Sequence, residues 1–149
     1  MKFLVGLDRE QNAMDVLAYA LHFASEMEAD LTAVHAIDPD VRELLESEPI
    51  TTLADASERL VIERLGEYER RAVELLERAE TVAADHGYDI ETEVLYGDPV
   101  PELTTYAAEV GYDVIFIGHR SRSERMDQIV GSVARGVVER ATVPVMVVR

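Results

Sequence analysis

The stretch Tyr112-Asp-Val-Ile-Phe-Ile-Gly-His-Arg-Ser121 carries a continuous apolar run, Val114–Ile117, that stops at Gly118 and turns polar. A run this short, apolar at successive positions, fits a strand covered on both faces, as in the middle of a parallel sheet. Phe3–Leu7 has the same character and stops at Asp8. Leu31–Ile37 predicts a second strand, and Val145–Val148, after Pro144, the last one. Ile90, Thr92, Val94 and Tyr96 alternate with Glu91 and Glu93, the pattern of an edge strand with one wet face.

Between these runs the period lengthens. Ala13, Val16, Leu17, Ala20, Leu21, Ala24 and Met27 recur at three and four, which predicts an amphipathic helix. A longer helical pattern covers Ala54–His86, with Ala56, Leu60, Leu65, Tyr68, Ala72, Leu76, Ala79 and Ala83 on its inner face. Gly87 is placed to end it in a left-handed cap. Asp98-Pro99 reads as a helix N-cap followed by proline at the first helical position, with the helix ending near Gly111. Ser132–Arg140 predicts the last helix, while 38–53 and 118–130 read as loops. The alternation βαβαβαβαβ, with crossovers long enough for right-handed parallel connections, predicts one doubly wound, Rossmann-like α/β domain. At 149 residues the chain can bury a core without a staple, and it contains no cysteine for a disulfide or a thiolate metal site.

Thirty acidic residues stand against 14 basic ones, for a net charge of −16, and Lys2 is the only lysine. Such a surface repels phosphate backbones and anionic lipid, which argues against nucleic-acid binding and membrane insertion. Acidic excess with almost no lysine resembles the proteins of salt-in halophiles and points to a haloarchaeal source. The start MKFLVGLDRE lacks a signal-peptide pattern, so the expected location is cytoplasmic.

In doubly wound sheets a ligand sits at the carboxyl ends of the strands where the strand order reverses. The continuously apolar first and fourth strands are the expected switch pair, and Asp8 and Gly118 lie at their carboxyl ends. Gly118 would let the chain turn sharply off its strand and admit a ligand close to the backbone. Gly131-Ser132 would open a helix whose free N–H groups and positive dipole end favour phosphate. By themselves, two glycines thirteen apart fit ordinary turns and caps better than a phosphate site. His119, Arg120, Arg122 and Arg125 crowd beside that segment; they suit an anion, or ion pairs with Glu124 and Asp127.

The chain resembles the universal stress proteins over essentially its whole length. Their pattern is Gly, two residues, Gly, nine residues, then Gly and Ser or Thr. Other landmarks follow in order: Val5-Gly-Leu-Asp8, Val34-His-Ala-Ile-Asp38, Gly97-Asp-Pro99, the Tyr112–Gly118 stretch, and Pro144-Val-Met-Val-Val148. The resemblance implies five parallel strands in the order 3-2-1-4-5 with helices on both faces. It also implies an adenine nucleotide site for ATP, with or without Mg²⁺: Leu7, Asp8 and Ala36 at the adenosine, Ile117 and Gly118 near the ribose, and Ser121, Gly131, Ser132 and Val133 at the phosphates. Departures from the pattern are Ser121 in place of the second glycine, Ala134 where a hydroxyl residue is common, and Arg9-Glu-Gln-Asn-Ala13 without a Gly-Ser stretch.

Asp8 reads as a ligand contact or as a capping carboxylate. His35, inside a strand, reads as a structural histidine; His22 and His86 read as solvated. There is no phosphate-loop lysine and no Ser-His-acid arrangement, so dedicated catalysis is not indicated, and slow ATP hydrolysis stands as a lesser alternative. Asp8 with Asp38 is a faint signal for Mg²⁺. Val145, Met146, Val147 and Val148 form an apolar strand at an expected sheet edge, which invites a homodimer there, as in the family. The expected function is a homodimeric stress-response switch governed by adenine nucleotide. A non-binding interaction module on the same fold is the alternative.

Overall fold

The computed structural model describes residues 1–8, 12–38, 54–119 and 130–149. The elements run β1 (Lys2–Gly6), α1 (Ala13–Met27), β2 (Asp30–Ile37), α2 (Ala54–Asp85), β3 (Glu91–Tyr96), α3 (Pro99–Val110), β4 (Val114–Gly118), α4 (Ser132–Arg140) and β5 (Val145–Val148). All strand pairs are parallel, in the order β3-β2-β1-β4-β5. The expected topology is therefore the observed one, with boundaries shifted by a residue: β1 starts at Lys2 and ends at Gly6, and β4 runs on to Gly118. The expected loop at 38–53 lies outside the described residues, apart from Asp38 itself, and so do the side chains of Ala56 and Leu60.

The inner strands β1 and β4 are apolar at successive positions, and β2 largely so apart from Thr32 and His35, because each face is roofed by helices. Phe3, Val5 and Phe116 point to one side, where Val16, Leu17, Ala20 and Leu21 of α1 and Leu76, Ala79 and Ala83 of α2 cover them. Leu4, Val34, Ile115 and Ile117 point to the other, beneath Leu103 and Ala107 of α3 and Ala134 and Val137 of α4. Each fully buried Leu or Phe in these layers is worth about 1.5–3 kcal/mol over its exposed state.

The helix ends follow local chemistry. Gly87 and Gly111 take the left-handed conformation after α2 and α3, at φ +73° and +85°. Helix α1 uses Glu28 for the same turn, at φ +52°, a cap that the absence of glycine conceals in the sequence. At the start of α3, Asp98 Oδ1 accepts from the Val100 N–H at 3.2 Å, with Pro99 at the first helical position. Among the described residues, no helix is long and apolar enough to cross a membrane.

Candidate functional site

A cleft opens at the carboxyl ends of β1, β2 and β4, where the crossover from β1 goes to one face of the sheet and that from β4 to the other. It holds about 620 Å³ of space, counted out to its open mouth. Leu7, Asp8, Ala36, Ile117, Gly118, Gly131 and Val133, all singled out in the sequence, line it. Ser132 does not: it stands exposed at the start of α4, outside the lining. Ser121, Arg120, Arg122 and Arg125 lie outside the described residues.

The walls also include residues the sequence reading passed over. Asn12, Ala13 and Val16 come from the start of α1, and Pro99 and Leu103 from α3. The β2 residues Val34 and His35 complete the floor. The periodicity of α1 marks Ala13 and Val16 only as core-facing, and the sequence marks Pro99 only as the first residue of its helix. Their place at a cleft follows from where each helix begins relative to the sheet.

Glycine at 118 has a different cause from the sharp turn expected. Gly118 is still in the ladder, paired with Val148, and its φ is not positive. A Cβ there would stand 3.3 Å from Val16 Cγ2 and 3.8 Å from Asn12 Nδ2. The missing side chain lets α1 pack closely on β4 and keeps the cleft open between them.

His119, grouped in the sequence with the arginines as an anion contact, is buried at 6% exposure and does not line the cleft. Its backbone ties three elements together: its N–H donates to Val148 O, and its carbonyl accepts from the Gly131 N–H, each at 2.7 Å. That second bond occupies the Gly131 amide. The first intrahelical bond of α4 runs from the Arg135 N–H to Gly131 O, so the amides of Ser132, Val133 and Ala134 are those without a helical partner.

Two helices start at the cleft without a capping side chain of their own, α1 after Asn12 and α4 after Gly131. Helix α3, by contrast, is capped by Asp98. Among the described residues, such N-termini have first-turn N–H groups without a helical partner and present the positive end of the helix dipole, the chemistry that suits an anion. The rest of the lining is mostly aliphatic, so the cleft joins an apolar slot to an anion-attracting rim.

His35 serves the structure, as expected, and also borders the cleft. Its Nδ1 lies 2.7 Å from Leu7 O; a carbonyl only accepts, so Nδ1 carries the proton. This bond holds the end of β1 against β2, just ahead of exposed Asp8. His22 and His86 are exposed, as expected, although His86 Nδ1 donates to Val82 O at 2.7 Å. Among the described residues no group of three His, Cys, Asp or Glu side chains gathers to hold a metal ion.

The family model described as universal stress protein family matches residues 1–149. Universal stress protein YxiE of Bacillus subtilis (strain 168) is 30% identical over 148 residues, covering 99% of this chain and 98% of its own. Among solved structures, universal stress protein UspA from Lactobacillus plantarum matches with a TM-score of 0.82 at 24% identity, over 100% of this chain and 97% of that one. The universal stress protein from Archaeoglobus fulgidus in complex with dAMP matches at 0.71 and 24%, over 100% and 98%.

Proposed function

The chain belongs to the universal stress protein family, and from that premise we propose that it binds an adenine nucleotide, ATP in the first place, in the cleft at the ends of β1 and β4. The observation that carries the reading is the junction of an aliphatic slot with the uncapped start of α4 at one opening. The adenosine lies along Leu7, Asp8 and Ala36, the ribose near Ile117 and Gly118, and the phosphates at Gly131, Ser132, Val133 and Ser121. The amides of Ser132, Val133 and Ala134, which have no helical partner, supply donors to the phosphates, and any Mg²⁺ arrives on those phosphates rather than in a carboxylate cage. The related Archaeoglobus protein, solved with dAMP, supports the ligand class.

Val145, Met146, Val147 and Val148 form a sheet edge of largely half-buried apolar residues. We assign them to a homodimer in which nucleotide occupancy selects partners during stress. A cytoplasmic location in a salt-accumulating, haloarchaeal cell is the reading that the acidic excess, with one lysine among its 14 basic residues, supports.

The test is a thermal titration with ATP–Mg²⁺ and AMP in molar KCl, with Gly131→Asp as control. Aspartate is a good N-cap and keeps α4 folded, but it sets a carboxylate where phosphate would bind. A ligand at a hundredfold excess over Kd stabilises by about 2.7 kcal/mol, roughly 5–10 °C for a chain of this size. A saturable shift lost in the variant is the expected result. Absence of any shift sinks the reading and favours the interaction module, to which Ser121 in place of glycine already points. Phosphate release that needs Mg²⁺ and is lost in Asp8→Ala would add slow hydrolysis.

A further inference from the structure

The sheet has a second edge, far from the cleft, with a different character. Strand β3 ends the sheet, and among the described residues no strand pairs its outer side. The Gly97 N–H donates inward to Ile37 O at 2.8 Å. By the two-residue period of a strand, the backbone groups of Thr92, Val94 and Tyr96 therefore point outward.

Alongside this edge, β3 and the flank of α2 enclose a groove of about 830 Å³, counted out to solvent. Its apolar part includes Val73 and Tyr96, which are 47% and 54% exposed, and half-buried Val94. Glu77, Glu80 and Glu93 line it, and no basic side chain does, although α2 carries Arg70, Arg71 and Arg78. One of its carboxylates is held across the groove, where Thr92 Oγ1 donates to Glu80 at 2.9 Å, and beside the groove Tyr96 Oη donates to Glu69 at 3.2 Å.

We propose that this groove and the free edge of β3 form a docking site for an extended protein segment, alternately basic and aliphatic, that adds to the sheet as a further strand. The three ingredients of strand addition coincide there: unpaired backbone donors and acceptors, an apolar pocket for alternate side chains, and fixed charges that choose the partner. Charge decides against a second copy of this chain. Two β3 edges laid together would set Glu91 and Glu93 against their own kind, a repulsive cross-strand arrangement. Charged edge residues commonly block unwanted pairing; here all are of one sign, so the block is selective and a basic strand relieves it. This site is separate from the cleft and stands whether or not nucleotide binds.

The experiment uses the full chain, in KCl at the lowest concentration that keeps it folded. A fluorescein-labelled peptide alternating arginine and valine, as long as β3, is titrated by anisotropy. Saturable binding is expected, with none for a glutamate–valine peptide. The triple variant Glu77→Gln, Glu80→Gln and Glu93→Gln keeps the Thr92 hydrogen bond and should weaken binding by about tenfold. Val94→Pro removes an outward N–H without touching the β2–β3 ladder and should also weaken it, with α2 and the other strands intact by circular dichroism. Equal binding of a peptide in which arginines and valines are segregated, or undiminished binding by the triple variant, would reduce the effect to attraction by net charge and overturn the proposal. So would failure of the alternating peptide to bind.

Discussion

Gly136 in α4 offers the sharpest test of how the cleft is built. A Cβ at that position would stand 2.7 Å from Val100 Cγ2 and 3.1 Å from Val100 Cγ1 on α3. Val100 has little room to yield. Its N–H is held by Asp98 at 3.2 Å and its carbonyl by Thr104 Oγ1 at 2.9 Å, and a valine in a helix strongly prefers one rotamer. Two opposing effects follow from Gly136→Ala. Alanine raises helix propensity by about 1 kcal/mol, while overpacking of this severity costs about 1–3 kcal/mol. The net is a destabilisation of roughly 1 kcal/mol, or about 2–4 °C in Tm. With Val100→Ala in the background the clash is gone and only the propensity remains, so the same change becomes stabilising. The coupling between the two sites should then be about 2 kcal/mol, read from urea unfolding of all four variants. If Gly136→Ala stabilises equally in both backgrounds, the helices do not approach as closely as described, and the reasoning fails.

Gly118→Ala places a methyl 3.3 Å from Val16 Cγ2, in the cleft between α1 and β4. Global stability should change by no more than about 1 kcal/mol, while adenine nucleotide affinity, measured by calorimetry, falls by about tenfold or more; unchanged affinity would move the ligand elsewhere. The Tyr106 hydroxyl is pushed up to about 12, by burial first, then by its hydrogen bond to Tyr112 and the nearby charges of Tyr112, Glu93 and Glu91. A raised acid pKa favours the protonated native state, so this stabilisation is full below pH 10 and is lost as pH rises towards 12. Unfolding followed across that interval should show a steeper loss in the wild type than in Tyr106→Phe, and matching slopes would refute the assignment.

The strands, the helices and the distinction between inner and edge strands were legible because they rest on periodicity, whereas the order 3-2-1-4-5 came from the resemblance to universal stress proteins. Continuous apolar runs mark Val114–Ile117 and Phe3–Leu7 as inner strands, and alternation with Glu91 and Glu93 marks an edge. Asp8 and Gly118, near the strand ends, were legible as a neighbourhood because position in a doubly wound sheet constrains where ligands sit. What escaped depends on distances between elements remote in sequence. The role of Gly118 lies in the approach of Val16, a hundred residues earlier. The burial of His119 and the capture of the Gly131 amide depend on where β5 ends. The groove beside β3 could not be read from α2 alone, since its polar and apolar residues look like an ordinary solvated flank until Thr92 and Tyr96 are set against them.

The cleft draws its lining from both sides of the sheet. Leu7, Ala13 and Val16 belong to the apolar layer under α1 and α2, whereas Val34, Leu103, Ile117 and Ala134 belong to the layer under α3 and α4. Elsewhere the sheet separates these layers, so a subglobal opening of one need not expose the other. A molecule seated in the cleft touches both, so neither layer can open there without releasing it. Occupancy would merge two folding units into one, and amide exchange in α1 and α4 would slow together although the two helices lie on opposite faces.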